Sequence, residues 1–183
     1  MVVVAEQPTT PTVVERSRID LAGAATPHTV QPYHAARAMQ LSEAAVSVQP
    51  AAAQARRLAA EAIRMSVDEL SRRGFAVVGC GVCLGSNRPV APLAVTLASH
   101  ALVHAAEGAL FRDALSGAAA DCRLPVTAEP ERELFARAAA ALNVRQDRLR
   151  HRLTELGRSL GPPWREDEKL ATLAACLALA AAC

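Results

Sequence analysis

Three side chains with metal-binding or acid–base chemistry lie in one apolar segment, ASHALVHAAEGALFRDAL. His100, His104 and Glu107 stand at i, i+4 and i+7, so on a helix they lie within about 60° of one another. Two imidazoles one turn apart can chelate zinc or another transition metal, and Glu107 could be a third ligand or a general base. Alternatively, the three form a structural polar stripe satisfied by backbone carbonyls or by a second copy of the chain. In both cases we expect them to be largely buried, with Glu107 paired to a histidine or an arginine, because an unpaired buried carboxylate is costly.

A second polar group lies in PYHAAR, within residues 21–50, where the sequence predicts structure least clearly. Turn-forming residues alternate there with a candidate third strand over residues 28–31. Tyr33, His34 and Arg37 are candidates for substrate binding in a cleft. The alternative is that they are surface residues of a loop.

Cys80 and Cys83 in CGVC have the CxxC spacing of redox and zinc sites. They fall in or just after a predicted strand rather than at the start of a helix, and no second CxxC completes a four-cysteine zinc site. We therefore expect small buried thiols. Five cysteines, an odd number, and no signal-peptide pattern in MVVVAEQPTT favour a reducing bacterial cytoplasm.

Length and composition predict one soluble domain. A chain of 183 residues is long enough for a single core, and we expect one domain over residues 1–183. Lys and Arg number 20 against 18 acidic residues, so net charge does not indicate a nucleic-acid partner, although it leaves one open. The apolar run over residues 170–183 is too short to span a bilayer, and we expect no membrane association.

The pattern along the chain predicts alternating strands and helices. MVVVAEQ and TVVERSRIDL favour a hairpin, and a helix is expected from Pro50 to its C-cap at Gly74. A buried strand follows in FAVVGCGVCLG, then a helix over residues 93–120, a strand in CRLPVTAEP and three more helices, the second stopped by Gly157. The expected fold is α/β, with N-terminal hairpin strands in a mixed sheet and helices on both faces. Because the helix over 93–120 is apolar on all sides, we also expect a homodimer.

This order resembles the ribonuclease H-like fold, and within it the RuvC-like Holliday-junction resolvases. Three stretches carry the likeness: RRLAAEAIRMSVDELSRRGFAVVGCGV, LASHALVHAAEGALFRDALSGAAADCRLPVTAEPE and RQDRLRHRLTELGRSLGPPWREDEKLATLAACLALA. Together they cover roughly residues 51–180. The resemblance implies a nuclease that holds two Mg²⁺ or Mn²⁺ ions with carboxylates from the first strand, the fourth strand and the final helix.

The expected carboxylates are only partly present. Glu6 stands where the first strand should offer an aspartate, and the fourth strand offers no acid. The final helix begins with Glu166, Asp167 and Glu168, although acids in a first turn are also explained by capping. The resemblance makes Glu6, Glu107, Asp167 and Glu168 the catalytic candidates, and Lys169 joins the substrate-binding candidates.

Two functions follow as hypotheses. One is a non-canonical or inactive relative of metal-dependent nucleases on a ribonuclease H-like scaffold. The other is a homodimeric protein that binds a ligand or partner without catalysis. The cofactor would be Mg²⁺ or Mn²⁺ for the nuclease, Zn²⁺ if the histidine pair is a ligand set, and otherwise none.

Overall fold

The computed structural model describes residues 1–5, 12–23, 26–85 and 89–182. It is a mixed α/β structure, 65% helical, with two small sheets. The strands are β1 (Val2–Ala5), β2 (Thr12–Arg16), β3 (Cys80–Leu84) and β4 (Val126–Pro130). The helices are α1 (Pro27–Val30), α2 (Pro32–Ala36), α3 (Leu41–Arg72), α4 (Leu93–Ala98), α5 (His100–Asp121), α6 (Glu131–Ala141), α7 (Gln146–Leu160) and α8 (Glu166–Ala181). The chain divides into two compact units, and the single domain over 1–183 stays a prediction.

Unit 1 comprises Met1–Arg18, Val77–Leu84 and Leu124–Cys183. Its strands β1 and β2 form the antiparallel hairpin that the sequence predicts, and β3 pairs in parallel with β4. Helix α8 packs against β1, β3, β4 and α6. The core of the unit is leucine- and alanine-rich, and its fully buried side chains include Leu134, Leu149, Leu153 and Leu173.

Close packing in unit 1 depends on two glycines. A Cβ added at Gly81 would lie 2.0 Å from the carbonyl oxygen of Ala174, so only glycine lets β3 approach α8 this closely. A Cβ added at Gly157 would lie 2.1 Å from Cδ1 of Trp164. The indole nitrogen of Trp164 donates a hydrogen bond to the Leu153 carbonyl at 2.9 Å, which fixes the ring over α7.

Unit 2 comprises Ile19–Ala76 and Gly85–Arg123, and the regular structure of its described residues is helical. Helices α3 and α5 form its main packed pair, and α2 and α4 pack against both. The buried faces of the pair are rich in alanine, whose small side chain allows helix axes to lie close together. These alanines are Ala44, Ala51, Ala55 and Ala59 on α3, and Ala106, Ala114, Ala118 and Ala119 on α5.

The prediction of one mixed sheet is wrong for the described residues, which form two separate two-stranded sheets. The strand expected from Phe75 begins only at Cys80. Phe75 is instead part of the cap of α3, because its N–H bonds the Leu70 carbonyl at 2.9 Å beyond the left-handed Gly74, whose φ is 83°. The C-cap of α3 is Arg73, one residue before the predicted Gly74, and Gly74 takes the left-handed conformation that follows many helix ends.

Several predicted helix boundaries also change. Helix α3 begins at Leu41 and runs through Pro50, and the Val46 side chain is 66% exposed, so water can reach the backbone that the proline leaves unpaired. The candidate strand over residues 28–31 is helical, since α1 covers Pro27–Val30. Helix α7 continues past Gly157 to Leu160, and Gly161, with a φ of 71°, follows its end.

The helix predicted over residues 93–120 is two helices, α4 and α5. They are separated at Ser99, which has extended backbone angles and accepts a hydrogen bond from the Leu102 N–H at 3.4 Å. Ser99 is therefore the N-cap of α5, and His100 becomes the first residue of the new helix. None of the helices in the described part of the chain combines the length and the apolar character that a bilayer crossing requires.

Candidate metal centre

Helix α5 presents two histidines on one face, as their spacing predicts. His100 occupies the first turn and His104 the next, and their Nε2 atoms lie 3.0 Å apart. Both side chains are exposed, so the expectation that they are buried is wrong. The first turn of α5 carries no acidic residue that would pair with these rings.

Helix α2 brings a third histidine, His34, to the same place. Pro32 begins this five-residue helix, as suits a residue without an N–H at a helix start. The backbone N–H groups of Tyr33 and His34 donate to Oε1 of Glu107 at 2.9 Å and 3.0 Å. A carboxylate on α5 thus holds the first turn of α2 and fixes the position from which His34 projects.

The three imidazoles converge. The ring centroids of His34 lie 5.2 Å from His100 and 4.6 Å from His104, and those of His100 and His104 are 4.4 Å apart. One ring nitrogen from each histidine can be chosen so that all three lie within 4.8 Å of one another. This group could hold a metal ion.

Glu107 lies against His34 on the side away from solvent. Only 8% of its surface is exposed, and its Oε1 lies 3.4 Å from Nδ1 of His34, so its predicted burial and its predicted pairing with a histidine are confirmed. Two buried atoms have no hydrogen-bond partner within the described residues, Nδ1 of His34 and Oε2 of Glu107. A small rotation that brings Nδ1–H onto the carboxylate would satisfy both atoms, and it leaves Nε2 of His34 as the nitrogen free for a ligand.

The electrostatics of the cluster lower the pKa of His100. A charge on His104 is the main cause that lowers the pKa of His100, and desolvation, His34 and Arg37 act in the same direction. The pKa of Tyr33 is raised by burial, and further by the carboxylates of Glu107 and Asp113. At neutral pH the neutral form of His100 is therefore favoured, which is the form that binds metal.

The remaining candidate of PYHAAR, Arg37, is exposed and bridges two segments of the same unit. It follows α2, one turn after His34, and its Nε donates to the Leu97 carbonyl near the end of α4 at 3.2 Å. Tyr33 is half-buried beside Glu107. Three of the four predicted substrate-binding residues, with His34 among them, thus belong to the histidine group or its border.

The acidic start of α8 has partners of its own in unit 1. The Arg165 N–H donates to Oε2 of Glu168 at 2.7 Å, an N-terminal cap, and Lys169 pairs with Glu166 at 3.1 Å. Asp167 is exposed. Glu6, the candidate from the first strand, lies outside the described residues.

Cys80 and Cys83 are half-buried thiols on β3. Three residues apart on a strand, they point to opposite faces. Burial raises the pKa of the Cys80 thiol, and Cys83 packs against the core of unit 1. Neither belongs to a group of three or more metal-ligating side chains within the described residues.

Comparisons of this chain with protein-family models, with curated proteins and with solved structures found no match. The function must therefore be argued from the geometry of the site itself.

The sequence predicted the stripe on α5 but not the third ring. The predicted metal set was His100, His104 and Glu107, whereas the histidine group contains His34 in place of the carboxylate. His34 stood out only as a polar residue of PYHAAR, and its partner Glu107 is 73 residues away along the chain. A single sequence carries no signal for that contact.

Proposed function

We propose that the protein binds one divalent transition metal ion, best suited to zinc, through the imidazoles of His34, His100 and His104. The observation that carries the proposal is the convergence of three ring nitrogens within 4.8 Å on an exposed surface. Imidazole nitrogen is a preferred ligand of zinc and of neighbouring transition metals.

The nitrogens of His100 and His104 are spaced almost as in a tetrahedral metal site, and the whole group lies within 4.8 Å. Zinc–nitrogen bonds of about 2.0–2.1 Å place two ligands of a tetrahedron about 3.3–3.4 Å apart. The Nε2 atoms of His100 and His104 are 3.0 Å apart, so a few tenths of an ångström of side-chain movement would fit them to one ion.

The environment of His34 supports the same proposal. Metal-ligating histidines commonly donate their second ring N–H to a carboxylate, which fixes the tautomer and the ring orientation. Glu107 lies next to that position without forming the bond: its Oε1 is 3.4 Å from Nδ1 of His34, and the N–H groups of residues 33 and 34 hold the carboxylate in place. Three protein ligands leave the fourth position to water or to a bound group, an arrangement typical of zinc enzymes rather than of structural zinc sites.

Calorimetric titration of the metal-free full chain with Zn²⁺ tests the proposal. We expect one ion per chain, and a loss of affinity of about a hundredfold or more in His34→Ala and His104→Ala, because losing even a partner of a ligand costs about 10–100-fold. His28→Ala, an exposed histidine of the same unit, is the matched control and should bind as the wild type does. Equal affinity in all four proteins would overturn the proposal.

The nuclease function implied by the ribonuclease H-like resemblance is a second proposal. One observation favours it: β3 and β4, joined through α4 and α5, pair in parallel, as a sheet with helical crossovers requires. Its metal ligands would be Glu6, Asp167 and Glu168. Cleavage of a branched DNA by the protein with Mn²⁺, lost in Asp167→Asn, would support it, and intact DNA would contradict it.

The homodimer is a proposal as well. Several apolar side chains of unit 2 are exposed, among them Val46 and Met65 on α3 and Val95 on α4, and a second copy of the chain would cover such surfaces. Light scattering at micromolar concentration should give twice the 19.2 kDa of one chain, and a monomer mass would contradict this.

A further inference from the structure

We infer that the histidine site takes a small oxyanion, a carboxylate or a phosphoryl group, held jointly by the metal and by the guanidinium of Arg37. The inference rests on the proposed metal site and extends it from metal binding to the chemical class of its ligand.

Arg37 is fixed by the same segments that carry the histidines. It lies three residues after His34, and its Nε–H is bonded to the carbonyl of Leu97, three residues before His100. This bond uses one edge of the guanidinium. The two terminal NH₂ groups, which form the fork that matches a carboxylate or phosphate, remain for another partner.

No carboxylate of the described residues forms an ion pair with that fork. Among the residues that the structure describes, Arg37 forms no ion pair. Two arginines of α3 do, each with a glutamate of the same helix: Arg57 with Glu61 and Arg72 with Glu69. The nearby acid, Glu107, is committed to the backbone N–H groups of α2 and to His34. The two terminal NH₂ groups of Arg37 are therefore hydrogen-bond donors that can bind a ligand.

The occupied site would also carry a strong positive charge. A divalent ion bound to three neutral imidazoles keeps its full charge, and the guanidinium of Arg37, bonded to the Leu97 carbonyl three residues before His100, contributes a further positive charge. With three protein ligands, the fourth position of the metal accepts water or an anion. An oxyanion fits both requirements, because one oxygen can bind the metal while another accepts hydrogen bonds from the guanidinium.

The experiment uses the full chain loaded with Co²⁺, whose visible absorption bands report the ligands of the metal. Titration with inorganic phosphate, and separately with acetate, should shift the bands saturably for at least one of the two. Arg37→Ala should weaken the apparent affinity for that anion by at least about tenfold, since a charge-assisted hydrogen bond is lost. Arg37→Lys, which keeps the charge but not the fork, should give an intermediate value.

Arg57→Ala, an exposed arginine of α3, is the matched control and should leave the anion titration unchanged. Arg37→Ala should bind Co²⁺ at least as tightly as the wild type, because it loses a neighbouring positive charge, and this shows that the histidine site is intact in the variant. If neither anion shifts the bands, or if Arg37→Ala binds the anion as the wild type does, the oxyanion inference is overturned while the metal site stands. If the wild type shows no cobalt bands at all, the metal site itself fails.

Discussion

The two polar clusters of the molecule differ in how completely their groups are satisfied. At the start of α8 in unit 1, the Glu168 carboxylate caps the helix through the Arg165 N–H, and Thr172, fully buried, donates to the Glu168 carbonyl at 2.7 Å. Nearby, the guanidinium of Arg16 donates to four backbone carbonyls, those of Leu160, Gly161, Pro162 and Pro163. In unit 2, Nδ1 of His34 and Oε2 of Glu107 are buried and have no hydrogen-bond partner among the described residues.

This difference distinguishes polar groups that stabilise the fold from polar groups whose unused hydrogen-bonding capacity suggests a ligand. Buried polar groups in folded proteins are normally hydrogen-bonded, and exceptions often mark a missing water, ion or functional role. At the start of α8, Glu168 caps the helix and Glu166 pairs with Lys169, as suits a helix terminus. The histidine group brings together three rings that could hold a metal ion, with unsatisfied atoms behind them, and this is why the proposed metal site lies in unit 2.

The largest effect should come from disturbing the packing of unit 1. In Gly81→Ala the new Cβ would clash with the Ala174 carbonyl, which belongs to the backbone of α8 and cannot move without disturbing that helix. We expect the free energy of unfolding to fall by about 3 kcal/mol, at the upper end of the usual cost of overpacking. Chemical denaturation followed by circular dichroism measures it.

Gly117→Ala is the control for this substitution. Gly117 is an exposed residue of α5 with nothing within 4 Å of an added Cβ, so alanine there should raise stability by roughly 0.5–1 kcal/mol. If the two variants were equally stable, the close contact between β3 and α8 would not matter for stability.

The next effect concerns the carboxylate behind His34. Glu107→Gln keeps the size of the side chain but removes the charge that orients Nδ1–H of His34. We expect the affinity for Zn²⁺ to fall by about 10–100-fold, the usual cost of losing a partner of a metal ligand. Calorimetric titration measures it, and circular dichroism shows whether the variant keeps its helices.

Glu168 of unit 1 provides the matched control for Glu107→Gln. Glu168→Gln carries the same chemical change at a carboxylate that only caps a helix, so its affinity for Zn²⁺ should equal that of the wild type. A loss of similar size in both variants would show that general charge, rather than the contact with His34, governs binding.

A smaller effect is expected from the helix cap itself. Glu168→Ala removes the acceptor of the Arg165 N–H and should lower the free energy of unfolding by about 1 kcal/mol. Glu168→Gln keeps an oxygen acceptor and should retain most of that stability. Thermal unfolding of the two variants measures the difference, and a loss of Mn²⁺-dependent DNA cleavage in Glu168→Gln would instead assign the residue to catalysis.

Local features of the fold could be predicted from the sequence, because they depend on neighbouring residues. The N-terminal hairpin, the strand before α6 and helices α6 and α8 follow from short patterns, and Gly74 identifies the end of α3. The division into two small sheets could not be predicted, because strand pairing depends on contacts between distant segments. The break at Ser99 was missed because apolar periodicity continues across it, while the cap bond to Leu102 decides the boundary.

The site, too, could be predicted only where neighbouring residues determine it. His100 and His104 lie one turn apart on a helix, and helical spacing is sufficient to place them together. The burial of Glu107 and its pairing with a histidine follow from the cost of an unpaired buried charge. The identity of that histidine could not be derived, because His34 is brought to α5 by the docking of α2, a tertiary contact.

The smallest expected effect is the titration of His100 in the metal-free protein. Protonated His104 disfavours a second positive charge on the neighbouring ring, so the pKa of His100 is lowered from its ordinary value, with desolvation, His34 and Arg37 contributing less. As the pH falls, His100 should therefore gain its proton later than a histidine in an unfolded peptide. The ring-proton NMR signal of His100, followed against pH, measures this directly. In His104→Ala the main cause is removed, and the titration midpoint should move upward toward the ordinary value. His28→Ala should leave the midpoint where it is. A midpoint that stays fixed in His104→Ala would mean that the two rings do not share the face of α5 on which the metal site depends.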